Sequence, residues 1–347
     1  MIYNHPEFDR HHELHFHDDP TTGLKAIIAI HRAWDKPSMG GCRMRNYSND
    51  ESALRDVLRL SRGMSYKSVM AGLDFGGAKS VIIGAPKPAA RGAVLASMAN
   101  FLNRLGGRYI TGIDVGVSAD DVAFMSKHTK YTAGTGALPP EKMTAAGVYT
   151  ALKASAKHRL RADSLNGLTI SILGLGKVGF QLAEMALADG ASVLGADINP
   201  ATLNSAIELG VTPVSVDDAH KMPCDIFAPC ALGGILNPMT IPELNCAIVA
   251  GAANNQFTNL DDAAELSGRN ILYAPDYIAN AGGLIVLAME YNRQNEAWAR
   301  AKVNALGDTL TMIFEQADAV DGNTGATAER IGAARIADMA QGSELAA

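Results

Sequence analysis

Apolar positions change period along the chain, and each change marks an element. Leu24 and then 26–30, Ala-Ile-Ile-Ala-Ile, form an apolar run entered from Thr21-Thr22-Gly23, which predicts a strand reached through a turn over residues 21–31. Behind Ser48-Asn-Asp-Glu51, which has the form of a capping box, Ala53, Leu54, Val57, Leu58 and Leu60 recur at helical spacing to Arg62, and 63–67 continue the helix. A strand at Ser80-Val-Ile-Ile-Gly, a helix over 89–105 and a short strand over 108–114 follow, and Ser118 caps a further helix. The Gly/Pro-rich stretch 133–140 interrupts this pattern as a linker. From Thr144 a helix leads to a strand at Leu168, further strands are expected at 211–214, 225–228, 246–251 and 270–273, and helices run from about 285 to 340. The tail 342–347 is expected to fray.

One stretch organises the second half. The apolar strand Leu168-Thr-Ile-Ser-Ile-Leu runs into Gly174-Leu-Gly176-Lys177-Val178-Gly179, an amphipathic helix follows, and a second strand ends at Asp197. A glycine-rich turn alone is a weak signal; with the flanking strand, helix and acid in place it reads as a dinucleotide-binding βαβ unit. Gly174 allows the tight turn, Gly176 lets the backbone approach a pyrophosphate, and Gly179 lets helix pack on strand. The N–H groups of the helix start face the anion. A carboxylate at Asp197 suits ribose hydroxyls and repels a 2′-phosphate, which favours NAD over NADP.

The composition narrows the classes. The chain has 347 residues, enough for two domains with their own cores, and 48% hydrophobic with 19% charged residues is ordinary for a soluble globular protein. A net charge of −6 with scattered basic residues argues against nucleic acid or an anionic membrane as partner. No apolar run reaches the ~18 residues of a membrane span, and the start lacks a signal-peptide core, so the expected location is cytoplasmic. Cys42, Cys224, Cys230 and Cys246 show neither a CxxC pair nor zinc spacing and read as reduced, packed thiols. His5, His11, His12, His15 and His17 crowd the start; no matching ligand set appears elsewhere, so a partly exposed strand face is expected there and no metal site.

Chemistry gathers in the first half around Gly40-Gly41, Lys67, Gly76-Gly77-Ala-Lys79 and Asp114. Lys79 follows what reads as a Gly-Gly turn and precedes an apolar strand, so it is expected at a buried strand mouth, and Asp114 ends another strand. Together with these, Met39-Gly-Gly-Cys-Arg-Met, Leu58-Arg-Leu-Ser-Arg-Gly-Met-Ser-Tyr-Lys67, Asp114-Val-Gly, Phe227-Ala-Pro-Cys-Ala-Leu-Gly-Gly234, Gly251-Ala-Ala-Asn-Asn255 and Tyr273-Ala-Pro-Asp-Tyr-Ile-Ala-Asn-Ala-Gly-Gly283 resemble the NAD-dependent amino-acid dehydrogenases, in the leucine/phenylalanine/valine branch of the glutamate dehydrogenase superfamily. The matches run in order over nearly the whole chain.

The resemblance implies roles where residues match. Lys79 would be the general base, Asp114 would exchange a proton with the amino nitrogen, Lys67 would bind the substrate carboxylate, and Gly40 and Gly41 would help hold the head group. An ordinary lysine is a poor base at neutral pH, so that role asks for burial and a second cation, here Lys67. Asn255 would touch substrate and cofactor. Gly174, Gly176, Lys177, Val178, Gly179, Asp197, Ala231 and Asn280 would line the NAD site, with Thr144 on the carboxamide, although Pro140-Glu141-Lys142 departs from the family's Ser-Pro ahead of it. Met39, Met64, Gly112 and Leu284 fall where the family sets pocket size. A carboxylate against methionine is costly to desolvate, so an apolar amino acid is expected, nearer the phenylalanine type than the leucine type, with plain core packing as the other reading of these residues.

The expected fold is α/β, two domains separated by a cleft: an N-terminal substrate and oligomerisation domain over 1–134, joined by a C-terminal helix from about 325 to 347, and a Rossmann NAD-binding domain over 135–324, hinged near 133–140. A homo-oligomer, dimer or octamer, is implied by the resemblance. Two other readings stand beside it. One is a glutamate dehydrogenase with an atypical pocket, which Met39 argues against. The other is a non-catalytic nucleotide-sensing protein, whose mark would be loss of Lys79 or Asp114, and both are present.

Overall fold

The computed structural model describes residues 2–259 and 262–344. They divide into two compact units, one of residues up to 139 with 286–296 and those from 333, the other of 140–285 with 297–332.

The first unit is built on a five-stranded sheet of β1 (Glu13–Asp19), β2 (Leu24–Ile30), β3 (Ser38–Arg45), β4 (Gly76–Ile83) and β5 (Tyr109–Gly112), ordered β1-β2-β4-β3-β5. β2 is antiparallel to both neighbours, whereas β4, β3 and β5 run parallel. The run in β2 is unbroken because both its faces are covered. On one face α1 (Asp50–Met70) brings Ala53 and Val57 against Ile27, Ala29 and Val81. On the other, α2 (Pro88–Arg104) and α3 (Ala119–Met125) bring Val94, Leu95, Met98 and Val122 against Ile28, Ile30, Ile82 and Tyr109.

Several boundaries differ from the expectation. Asn49, not Ser48, caps α1, because its side chain accepts the Ser52 N–H and Ser52 reciprocates; the helix then runs unbroken to Met70. β4 begins at Gly76, so Gly76-Gly77 is strand rather than turn. These glycines let other backbone come close: a Cβ at Gly77 would collide with Ser65 of α1, and one at Gly76 with the Arg32 carbonyl. The strand expected to reach Asp114 stops at Gly112.

The second unit alternates helix and strand: α4 (Pro140–Leu160), β6 (Thr169–Leu173), α5 (Lys177–Ala188), β7 (Ser192–Ala196), α6 (Pro200–Leu209), β8 (Thr212–Pro213), β9 (Ile226–Pro229), β10 (Ile248–Val249), α7 (Asp262–Gly268), β11 (Leu272–Tyr273) and α8 (Asp276–Ala279). α4 starts at Pro140 rather than Thr144, with the proline in the first turn, where its missing N–H costs nothing. The strands are all parallel in the order β11-β10-β9-β6-β7-β8. Chain order therefore reverses between β6 and β9, the place where doubly wound sheets bind ligands. α9 (Gly282–Tyr291), α10 (Glu296–Asp318) and α11 (Thr324–Glu344) complete the chain. The tail expected to fray is helical in α11 as far as Glu344, and 345–347 lie outside the described residues.

Among the described residues no helix is long and apolar enough to cross a membrane, and no group of His, Cys, Asp or Glu is arranged to hold a metal ion. The four cysteines are unpaired. Burial pushes the thiols of Cys42, Cys224 and Cys230 up to about 12, so they are packing groups and not nucleophiles.

Candidate active site

In the first unit the parallel trio β4, β3 and β5 brings Lys79, Gly40-Gly41 and Asp114 together. β3 lies between the other two, with Met39 opposite Gly77 on one side and Gly41 opposite Gly112 on the other. Gly41 is small because Asp114 lies on it: a Cβ there would come within 2.8 Å of the Asp114 Cβ. A Cβ at Gly40 would collide with the Ala78 carbonyl and press on Met64 of α1. Lys79 sits inside β4, not at its mouth, and is 6% exposed.

Lys79 Nζ contacts Asp114 Oδ2 directly. The sequence identified both residues but not this contact. Burial opposes ionisation of Asp114, yet the Lys79 ammonium and the Arg43 guanidinium outweigh it and hold the carboxyl down to about 2. A charged pair this deep survives only with further polar partners, and Arg43 and the Val115 N–H supply them. Lys67 is half-buried in the last turn of α1, three residues beyond Met64.

Met39 is fully buried and Met64 half-buried. The space a side chain would take at Gly112 faces Leu287 of α9, whose Cδ2 would lie 2.9 Å from a Cβ there, with the Ala133 carbonyl at 3.1 Å. Leu287 and Arg43 escaped the reading of the sequence. Arg43 carried a usable signal, a charged residue inside an otherwise buried strand, which requires a partner.

In the second unit the three glycines of the fingerprint occupy the turn from β6 into α5. Gly174 has φ +98°, a left-handed conformation that suits glycine, and it abuts Ala231, two residues beyond β9. A Cβ on Gly179 would strike the Gly174 carbonyl, whereas one on Gly176 would meet nothing within 4 Å. The protein's own packing therefore does not demand glycine at 176, and the helix start there is open. Asp197 closes the turn, accepting the Leu175 N–H at 2.7 Å and the Asn199 N–H at 2.8 Å. Lys177, at the start of α5, pairs with Glu141 at 3.2 Å, and Val178 beside it is half-buried.

Asn280 is 5% exposed; its amide donates to the Ala252 carbonyl and to Asn254, while its Oδ1 is buried without a hydrogen-bond partner. Asn255 adopts φ +52° and accepts the Gly234 N–H. Thr144 donates its hydroxyl to the Pro140 carbonyl and faces Gly283, and Leu284 is buried in α9. The open face at Gly176, the Asp197 carboxylate and the orphaned Asn280 oxygen fit a dinucleotide with a terminal amide.

Residues 8–131 match the family model described as Glu/Leu/Phe/Val dehydrogenase, dimerisation domain, and 199–341 the one described as Glutamate/Leucine/Phenylalanine/Valine dehydrogenase. Phenylalanine dehydrogenase of Lysinibacillus sphaericus is 44% identical over 318 residues, covering 88% of this chain and 84% of that protein. Leucine dehydrogenase of Thermoactinomyces intermedius is 40% identical over 322 residues, covering 90% and 87%. The crystal structure of L-tryptophan dehydrogenase from Nostoc punctiforme superposes with a TM-score of 0.82 at 39% identity, covering 95% of this chain and 97% of that one. With both units built as described and these likenesses spanning them, the chain belongs to the glutamate/leucine/phenylalanine/valine dehydrogenase family.

Proposed function

We propose that the chain catalyses the reversible oxidative deamination of an apolar L-amino acid, in which the amino acid, water and NAD+ become the 2-oxo acid, ammonium, NADH and one proton. The observation that carries this is the buried contact of Lys79 with Asp114 beside Gly41. Its setting supports proton traffic rather than scaffolding: a base and an acid touch, shielded from water, next to a strand whose glycines leave room for a head group.

Bound at the Gly174–Gly179 turn, NAD supplies the hydride acceptor for Cα. Lys67 pairs with the substrate carboxylate, and the Gly40-Gly41 backbone holds the amino-acid head group. Lys79 serves as the general base for the attacking water, and its contact with Asp114 gives the proton a neighbouring oxygen to pass to. Asp114 then returns a proton to the departing nitrogen. Asp197 selects NAD over NADP, because its carboxylate lies at the end of β7 where a 2′-phosphate would meet negative charge. Thr144, Lys177, Val178, Ala231, Asn255 and Asn280 complete the cofactor site.

Met39, Met64 and Leu287 set an apolar side-chain pocket, in which an unpaired distal carboxylate would be costly. A homo-oligomer is part of the same reading, supported by the dimerisation domain named for residues 8–131.

The test is initial-rate NAD reduction at alkaline pH with L-phenylalanine, L-leucine, L-valine, L-tryptophan and L-glutamate, each repeated with NADP. Turnover is expected with apolar substrates and NAD. Lys79→Ala should cut kcat by about a thousandfold while NADH binding stays within about twofold. Glutamate as the sole substrate would replace this reading with the glutamate enzyme. Tight NADH binding without turnover of any of the five would replace it with the sensing protein.

A further inference from the structure

Asp114 has two oxygens in unlike surroundings. Oδ1 accepts from Arg43 Nη2 at 3.3 Å, from Arg43 Nε at 3.4 Å and from the Val115 N–H at 2.6 Å. Oδ2 faces Lys79. An oxygen that already receives three donors has no free direction in which to bind a proton.

Arg43 is itself held in place. Its Nη1 donates to both oxygens of Asp56 on α1, at 3.3 and 3.2 Å, and Asp56 also accepts the Tyr47 hydroxyl at 2.7 Å. The guanidinium is thus forked between two carboxylates from different elements, with its side chain 11% exposed. A lysine could not reproduce this arrangement, since an ammonium is a point charge without a planar fork.

We propose that Arg43 is a positioning residue for the deamination: by saturating Oδ1 it leaves Oδ2 as the one oxygen of Asp114 that exchanges a proton, with Asp56 and Tyr47 fixing the guanidinium that does so. The proposal rests on the reading of Lys79 and Asp114 given above. It gives the proton a single path, from Lys79 Nζ to Asp114 Oδ2 and from there to the substrate nitrogen. Each transfer breaks one N–H or O–H bond and makes another, with no change of oxidation state.

The groups facing Asp114 fix the sign of the pH effect. Lys79 of β4 and Arg43 of β3 are the cations beside it. The thiol of Cys42 on β3 and the phenol of Tyr109 on β5 are both raised by burial and stay neutral, and Asp56 connects to the carboxylate through Arg43. Removing the guanidinium removes a cation that favours the carboxylate, so Asp114 gains its proton at higher pH.

The test uses the full chain carrying Arg43→Met, Arg43→Lys or Asp56→Asn, with kcat/KM for the best apolar amino acid measured against pH and urea unfolding measured alongside. Arg43→Met should lower kcat by about tenfold or more and move the acid limb of the profile up by about one pH unit. Arg43→Lys, which keeps the charge, should return the limb to its wild-type position and recover only part of kcat. Asp56→Asn should leave the limb in place and lower kcat about threefold, because the guanidinium is still present but no longer fixed.

A purely structural ion pair would lower unfolding stability in all three variants and leave every limb where it was, and that result overturns the proposal. If Arg43→Met does not fold, the two variants that keep the cation at position 43 decide: full kcat in both overturns it, and kcat reduced in the fully folded chain supports it. Absence of turnover in the wild-type chain would overturn the functional reading and this role with it. Turnover in the wild type with an unmoved Arg43→Met limb would overturn the role of Arg43 alone.

Discussion

At Gly179 a Cβ would collide with the Gly174 carbonyl, and at Gly176 it would meet nothing, although both glycines belong to one short turn. Gly176 also has φ −65°, which any residue adopts without strain. Alanine should therefore separate fold from ligand. Gly176→Ala is expected to leave the unfolding midpoint unchanged and raise the Kd for NADH by about tenfold, or about 1.4 kcal/mol. Gly179→Ala is expected to cost about 1–3 kcal/mol of stability through overpacking against backbone. Urea unfolding and NADH fluorescence titration of both variants check this, and a stability loss at Gly176 would show that the turn, not the cofactor, requires that glycine. Residue types were legible in the sequence wherever chemistry restricts them, as at Lys79, Asp114 and the three glycines. Contacts between distant segments were not. Nothing local to Lys79 announces that Asp114 touches it, or that Arg43 occupies the other oxygen, because those meetings depend on the parallel register of β4, β3 and β5.

Elements were readable where a period persists and misread where packing overrides local preference. The strand, turn and helix around Gly174 follow from sequence because each piece agrees with its neighbours. Gly76-Gly77 looked like a turn, since glycine usually marks one, but the close approach of the Arg32 carbonyl to Gly76 and of α1 to Gly77 explains the pair better. The N-terminal histidines show the same limit. His11 lies against Leu58 and Ser61 of α1, and its ring packs edge-on to His31. His31 is fully buried between Asp9 and Ser65, and Ser65 also accepts the Gly77 N–H, which joins β2, α1 and β4. Burial, then the neighbouring His31, lower the His11 pKa from 6.5 to about 4. A histidine kept neutral by the fold binds its proton more readily when unfolded. Its contribution is therefore present above about pH 6.5 and is lost as pH falls from there towards about 4. For His11 the loss is up to about 3 kcal/mol. Urea unfolding at pH 7 and pH 5 should show a smaller acid loss in His11→Asn than in the wild type, with a remainder from His31, whose pKa burial also lowers. Equal losses in both chains would remove His11 as the source.

On the scale of the whole chain, each unit has its own sheet and its own apolar core, so ligand binding can be followed in one without the other. The chain passes between units after residues 139, 285, 296 and 332. Composition marks the first with Gly and Pro, and Glu290 accepts the N–H groups of Gly134 at 2.7 Å and Gly136 at 2.9 Å just before it. The passages after 285 and 332 fall inside α9 and α11, where helical periodicity runs on unbroken and no sequence signal could reveal them. The glycine turn from β6 into α5 and Asp197, to which we assign the dinucleotide, lie wholly in the second unit. ADP-ribose, which carries the adenosine and pyrophosphate without the nicotinamide, should therefore stabilise that unit by linkage, by about 2.7 kcal/mol at a hundredfold excess over its Kd. Hydrogen exchange should slow at Ile170, Ile172 and Val193, all buried in that sheet, while Val81 and Ile82 of the first sheet keep their rates. Equal slowing in both sheets would mean that the units open together as one cooperative structure. Slowing confined to the first sheet would place the nucleotide away from the glycine turn and remove the basis for reading Gly176 as its contact.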